Sequence, residues 1–304
     1  METNVFPYHI PALLQETINL LNIKPEGTYV DVTFGGGGHS RAIMEQLSAE
    51  GRLLSFDRDM DAFANRIDDE RFTFVHSNFR FIENFLRYYN AGKADGILAD
   101  LGVSFHHFDS GNRGFSFRTD APLDMRMNRN APLTAAEIVA DYDEEKLKEM
   151  LKNYADLKSP GNVARAIVKV RAVAPITTTF QLSEAVMPAL DPRQAKKELA
   201  QVFQALRIET NDEMGDLRRF LEASVRVLKP GGRLAVLTYH SIEDRMVKNF
   251  MKTGNIQGEE KKDFFGKVLT PWKLITKKPV EASPAEVERN PRSRSAKLRV
   301  AELV

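Results

Sequence analysis

Residues 28–34 (TYVDVTF) form an apolar run that passes directly into four consecutive glycines, Gly35 to Gly38, and then into a helix-forming stretch. Glycine lacks Cβ, so four in a row let backbone amides approach a ligand closely at the open edge of a doubly wound sheet, where ligands sit beyond the strand carboxyl ends. The spacing Gly35-x-Gly37-x-x-Ser40 partly matches a dinucleotide fingerprint, although a plain structural turn would use the same glycines.

The neighbouring sequence supplies the sheet. Residues 52–57, 72–76 and 94–100 are further short apolar runs, and helix-like stretches at 39–47, 60–67 and 78–89 lie between them. This is the β-α-β rhythm of a parallel sheet. The rhythm stops after Asp100. From 109 to 208 helical patterns follow one another with no alternating strand: 133–138 behind Thr134, with Glu137 at capping-box spacing, then 143–154, 161–174 stopped by Pro175, 180–190 and 193–206. It resumes with an amphipathic helix at 213–228, a Lys229-Pro230-Gly231-Gly232 turn, a fifth strand at 233–239 and a final strand at 296–303. The expected architecture is an α/β, doubly wound, mostly parallel Rossmann-like domain made of residues 1–108 and 209–304, with a helical domain inserted at 109–208.

Asp57 ends the second strand, 22 positions after Gly35. There a carboxylate either accepts the ribose hydroxyls of an adenosine ligand or caps the helix ahead of Met60. Together with the glycines it indicates an adenosine-bearing cofactor without separating a nicotinamide dinucleotide from S-adenosylmethionine. The remaining layout favours S-adenosylmethionine. Asp100 ends the fourth strand beside the topological switch point, and the helix-LKPGG-strand unit at 228–237 has the form common in class I methyltransferases. Phe79 either covers the adenine or joins the core.

Composition removes several alternatives. No run approaches the roughly 18 apolar residues of a membrane span, and the absence of cysteine rules out disulfides, a thiolate nucleophile and cysteine-ligated metal. No metal is expected. The first ten residues lack the basic and apolar regions of a secretion signal, so a cytoplasmic location is expected. A net charge of +1 leaves nucleic-acid binding open, because a balanced total can hide a basic face.

Longer motifs carry a specific resemblance. YVDVTFGGGGHS (29–40), GILADLGVS (96–104), RGFSFRTDAPLDMRM (113–127), FQALRI (203–208), TYHSIEDR (238–245) and NPRSRSAKLRVAE (290–302) are similar, in content and order, to the RsmH/MraW family. That family methylates N4 of a cytosine in the decoding region of 16S ribosomal RNA, and the resemblance covers nearly the whole chain. It implies cofactor contacts at Gly37, Gly38, His39, Asp57, Phe79 and Asp100, and 16S ribosomal RNA or the small ribosomal subunit as partner. A homodimer is left open. One departure falls at Ser104-Phe-His-His-Phe-Asp109, where the family shows Ser-Ser-Pro-Gln-Leu-Asp. His107 takes the glutamine's place, and an imidazole can still hydrogen-bond a cofactor carboxylate.

An exocyclic amine is a poor nucleophile because its lone pair is delocalised into the ring, so a carboxylate at its protons would assist transfer. Asp100 is the first candidate, although a cofactor contact would compete for it; Asp124 and His240 are reserves. His240 would equally serve as a structural hydrogen bond at the end of the fifth strand. No Asn/Asp-Pro-Pro-Tyr motif is present. The target base must be unpaired or flipped out of its stack. Phe105, Phe108, Phe115 and Phe117, interleaved with Arg113, Arg118 and Arg126, suit base stacking and phosphate contact; the alternative is a loop packed by its own rings. Arg165, Lys169 and Ala172 share a helical face opposite Val163, Ile167 and Val170. Arg289, Arg292, Arg294, Lys297 and Arg299 form a run with no acid. Either is a solvated face or part of an RNA surface. The rival from another class is a non-catalytic RNA-binding or ribosome-assembly protein on the same scaffold, which would have no need of the glycine loop, Asp57 and Asp100.

Overall fold

The computed structural model describes residues 11–102 and 113–304. Eight strands form one sheet: β1 (Thr28–Asp31), β2 (Arg52–Asp57), β3 (Phe72–His76), β4 (Ala94–Asp100), β5 (Leu228–Thr238), β6 (Trp272–Leu274), β7 (Val280–Glu281) and β8 (Lys297–Leu303), in the order β3-β2-β1-β4-β5-β8-β6, with β7 also paired to β8. Neighbours from β3 to β5 run parallel, and β8 runs antiparallel to β5, β6 and β7. β4 is buried along its length except at Asp100, as a central parallel strand covered on both faces must be. The order reverses between β1 and β4, which puts the switch point at their carboxyl ends.

The chain divides into two units, Met1–Gly102 with Gly215–Val304, and Val103–Met214. The first holds the sheet, with α1 (Leu14–Leu21), α2 (Gly38–Met44), α3 (Ile82–Tyr88), α9 (Glu213–Val227, entering from the second unit), α10 (Ser241–Thr253) and α11 (Pro284–Arg289). The second is helical: α4 (Ala135–Asp141), α5 (Glu144–Tyr154), α6 (Pro160–Arg171), α7 (Thr179–Val186) and α8 (Ala195–Thr210), around a core that includes Leu123, Ile138, Leu147, Ile167 and Leu206. The expected cut at 108/109 lies outside the described residues. No helix among the described residues is long and apolar enough to cross a membrane.

Local chemistry explains the element ends. Thr134 and Glu137 form the expected capping box at the start of α4. Four readings need adjustment. β1 stops at Asp31, and residues 32–34 continue as a loop tied by Val32 N to Leu98 O (2.9 Å) and Phe34 N to Phe56 O (2.8 Å). The helix expected at 60–67 is a 3₁₀ segment, Met60–Asn65, too short to propagate. The helix expected at 180–190 ends at Val186 and passes into a 3₁₀ turn containing Pro188, which has no N–H to continue the ladder. The turn at 229–232 is a bulge within β5: its register jumps from Ala94↔Leu228 to Gly96↔Arg233, and Gly231 takes φ +78°.

Candidate active site

The carboxyl ends of β1, β2 and β4 gather a set of acids around the glycine loop. Gly35 and Gly37 adopt φ of +50° and +76°, which L side chains rarely adopt. At Gly37 a Cβ would lie 2.9 Å from the Phe34 ring, and at Gly38 2.5 Å from Pro11. Asp57 holds the loop from below, accepting from Gly35 N and from Asp59 N, each at 2.8 Å. The capping role considered for Asp57 belongs instead to Asp59, whose side chain accepts from Asp61 N at 3.0 Å.

Asp100 is held through both its backbone and its side chain. Its backbone N–H donates to Thr33 Oγ1 (2.7 Å), and its Oδ1 accepts from the Tyr239 hydroxyl (2.7 Å). His39 Nδ1 stands 3.6 Å from Oδ2. The Asp100 side chain keeps 22% of its surface exposed. Even so, burial pushes its carboxyl up to about 7, against the Tyr239 hydrogen bond, which favours the ionised form, and with help from the nearby Glu243 charge. Burial also pushes the His39 imidazole down, which disfavours a fixed ion pair between the two. Asp95, at the other end of β4, behaves oppositely. Burial opposes its ionisation, but Lys229 (2.6 Å) and the Thr28 amide (3.0 Å) hold it below the usual carboxylate range. One strand therefore carries a neutralised structural carboxylate at its amino end and a perturbed one at the switch point.

Two neighbours were not singled out from the sequence. Asp31 is buried, accepts from Ser40 Oγ (2.6 Å) and Thr33 N (3.0 Å), and is pushed up by burial despite those bonds. A carboxylate inside an otherwise apolar strand was the available signal. Tyr239 ends the TY of TYHSIEDR, and its own ionisation is pushed well up by burial and by Asp100, so it stays a hydrogen-bond donor. No lysine or arginine pairs with Asp31 or Asp100 among the described residues, so the loop faces an excess of acid. That donor set suits a cation. S-adenosylmethionine carries a sulfonium and an α-ammonium.

Other expected residues are placed differently. Phe79 is buried, edge-on to Phe220 (5.4 Å) and beneath the Arg58 guanidinium (5.4 Å), which is the core alternative for that ring. His240 caps α10: Nδ1 accepts from Glu243 N (3.4 Å), and Nε2 lies 3.0 Å from Glu243 Oε1. Asp124, in the helical unit, takes a two-pronged bond from Arg126 (2.7 and 2.8 Å). Burial opposes its ionisation, yet those bonds hold it below the usual range. Arg126 spends a further donor on Ala131 O (2.7 Å).

Arg113 is a correction to the RNA-facing reading. It is buried and donates to the carbonyls of Arg126 and of Met127 (2.9 Å), beside the Phe115 ring. Phe115 is buried too, and Phe117 packs on Phe203 (5.6 Å), so these rings fill the helical unit's core. His107, Phe105 and Phe108 lie outside the described residues. Arg118, Arg165, Lys169, Arg289 and Arg294 are exposed, Arg165 with Glu144 at 3.4 Å, and Arg292 is half-buried. Val170, assigned to the apolar face of its helix, is exposed. Arg299 is buried in a two-pronged pair with Asp244 (2.7 and 3.0 Å), which takes it out of the basic run.

Comparison with known proteins adds independent findings. A family model described as the MraW methylase family matches residues 7–304. Proteins named ribosomal RNA small subunit methyltransferase H are similar over nearly their full length: one from Bacteroides thetaiotaomicron is 56% identical, covering 99% of both chains. One from Phocaeicola vulgatus is 57% identical, covering 97% of both. A third, from Parabacteroides distasonis, is 54% identical and covers 100% of both.

Proposed function

The chain belongs to the MraW methylase family, and from that premise we propose that it transfers a methyl group from S-adenosylmethionine to N4 of cytidine 1402 in 16S ribosomal RNA. The observation that carries the reading is the full-length similarity to small-subunit methyltransferases, joined to acids and glycines at the switch point that suit a sulfonium cofactor.

S-adenosylmethionine supplies an electrophilic methyl group on a positively charged sulfur. The protein's work is alignment and charge. Gly37, Gly38 and His39 line the loop against the cofactor, and Asp57 both fixes that loop and offers its carboxylate to the ribose. Bound there, the cofactor would supply its methyl group to the N4 lone pair, the C–S bonding pair remaining with sulfur. The amine then carries an extra proton. Asp100 is the acceptor we assign to that proton, since a carboxyl poised at about 7 both takes and releases one near neutral pH. Asp124 and His240 rank below it, because Arg126 consumes the first and a helix cap the second. Of the RNA-facing candidates, Arg118, Arg165, Lys169, Arg292 and Arg294 remain as phosphate contacts.

The test is methyl transfer from labelled S-adenosylmethionine to small subunits isolated from cells lacking this protein, followed by nucleoside analysis. Label in N4-methylcytidine supports the proposal. Label absent from both naked RNA and subunits, with cofactor binding shown in parallel, overturns it.

A further inference from the structure

Residues 259–270 form a hairpin that the cofactor site does not use. Lys262 pairs with Val268 across an antiparallel bridge, Asp263 N donates to Lys267 O (2.9 Å), and Leu269 N donates to Lys261 O (2.7 Å). The tip is locked. Asp263 Oδ1 accepts from Phe265 N and Lys267 N, each at 2.9 Å, and Gly266 turns the chain at φ +79°. The base is tied down by Asn255, whose side chain accepts from Gly258 N and Glu259 N and donates to Glu259 O, and by Trp272, buried against Phe250.

This rigid turn holds two phenylalanines out in solvent. Phe264 is 98% exposed and Phe265 91%, with their rings nearly perpendicular at 5.7 Å. An isolated exposed apolar side chain needs no explanation, but two adjacent rings on a locked tip do. Their surroundings are cationic. Eight lysines and three acids lie between Lys248 and Lys278, a local excess of five positive charges on a chain whose total is +1. Of the acids, Glu260 is taken up by Lys252 (2.8 Å) and Lys262 (3.2 Å), and Asp263 by the turn amides. Lys261 and Lys267, flanking the rings, are exposed and carry no ion pair among the described residues.

We propose that this hairpin is an RNA-contacting finger: Phe264 and Phe265 stack on unpaired bases of the substrate RNA while Lys261 and Lys267 meet its phosphates. Exposed rings set among cations are the arrangement by which single strands are held, stacking giving affinity without sequence choice. A protein partner would favour a contiguous apolar patch with charge excluded from its centre, whereas lysines sit directly beside these rings. The inference rests on the RNA substrate proposed above.

The experiment compares the unsubstituted protein with F264A/F265A and F264Y/F265Y, using small subunits from cells lacking this protein. It measures RNA affinity, KM for subunits, affinity for S-adenosylhomocysteine and sedimentation. The alanine pair is expected to weaken RNA affinity and raise KM by about 10-fold or more, with S-adenosylhomocysteine affinity unchanged and the tyrosine pair near the unsubstituted level. K261Q/K267Q should flatten the salt dependence of binding. If the unsubstituted protein methylates subunits but the alanine pair binds and turns over as well as it does, the finger is overturned while the activity stands. If the unsubstituted protein acts on no RNA, both fall. If only the sedimentation of the alanine pair changes, the rings bind a second copy of the chain, which overturns the RNA assignment.

Discussion

Phe115 and Phe117 share a loop with Arg113, Arg118 and Arg126; Phe264 and Phe265 share one with Lys261, Lys262 and Lys267. By composition the first loop is the better RNA candidate, since arginine and phenylalanine alternate there within a glycine-bearing segment. The structure reverses the ranking. Arg113 and Arg126 turn inward onto carbonyls and Asp124, and the rings beside them join the core of the helical unit. In the second loop an aspartate satisfies the turn amides, and the rings stand in solvent against each other. Arginine's five donors in a planar fork allow it to close a loop on its own carbonyls, which a single ammonium does less well. Rings set among cations therefore serve opposite ends, according to whether the cations are spent on the loop's own acceptors.

The sharpest break in that comparison is stability. Phe115→Ala should cost about 3–5 kcal/mol in urea unfolding followed by circular dichroism, as a buried phenylalanine truncated to alanine does. Phe264→Ala should stay within about 0.5 kcal/mol, as an exposed substitution does. Equal costs would mean that the exposed rings are packed in solution and that the contrast is false.

A second contrast lies within β4, between Asp95 and Asp100. Asp100→Asn should reduce methyl transfer on the order of 100-fold, the scale of a lost proton acceptor. It should also flatten the pH dependence of cofactor affinity. In the unsubstituted protein a positively charged cofactor favours the ionised carboxyl, so binding should tighten as pH rises toward about 7 and level off above it. For folding the sign is opposite. A carboxyl whose folded value is raised costs stability progressively as pH climbs from about 4 to about 7, so Asp100→Asn should gain melting temperature relative to the unsubstituted protein at pH 8 more than at pH 4. Calorimetric titration of S-adenosylmethionine and thermal melts at several pH values check both.

Tyr239→Phe sharpens the same point with a smaller effect. Removing a donor to the carboxylate withdraws about 1.5 kcal/mol from the ionised form, so the midpoint of the cofactor's pH dependence should move up by about one unit. A midpoint that stays put would leave Tyr239 as packing alone.

How much of this was legible in the sequence follows from what each motif constrains. The glycine loop and the terminal Asp57 and Asp100 were readable because strand ends, positive φ and close backbone approach admit few residue types. The sheet's helical interruption was readable because a 3.6-residue period replaced a two-residue one. His39 against Asp100, the Asp31–Ser40 bond and the Tyr239 hydroxyl were not, since each joins residues from different elements that only the fold brings together. The Phe264–Phe265 tip went unread because the charged stretch just before it, 258–263, gives no sign of how the rings are displayed until the Asp263 turn fixes them.

The smallest expected effect tests the basic face of α6. Arg165 is exposed and pairs with a half-buried Glu144 at 3.4 Å, so Arg165→Ala should change stability by less than about 0.5 kcal/mol. If it meets a phosphate, RNA binding should weaken alike on every sequence, and the slope of log affinity against log salt should fall by about 1. Binding titrations at four salt concentrations distinguish the cases. An unchanged slope would make α6 a solvated helix and leave phosphate contact to the hairpin lysines and the exposed arginines elsewhere. That would carry the contrast between the two loops one step further, from the rings to the charges around them.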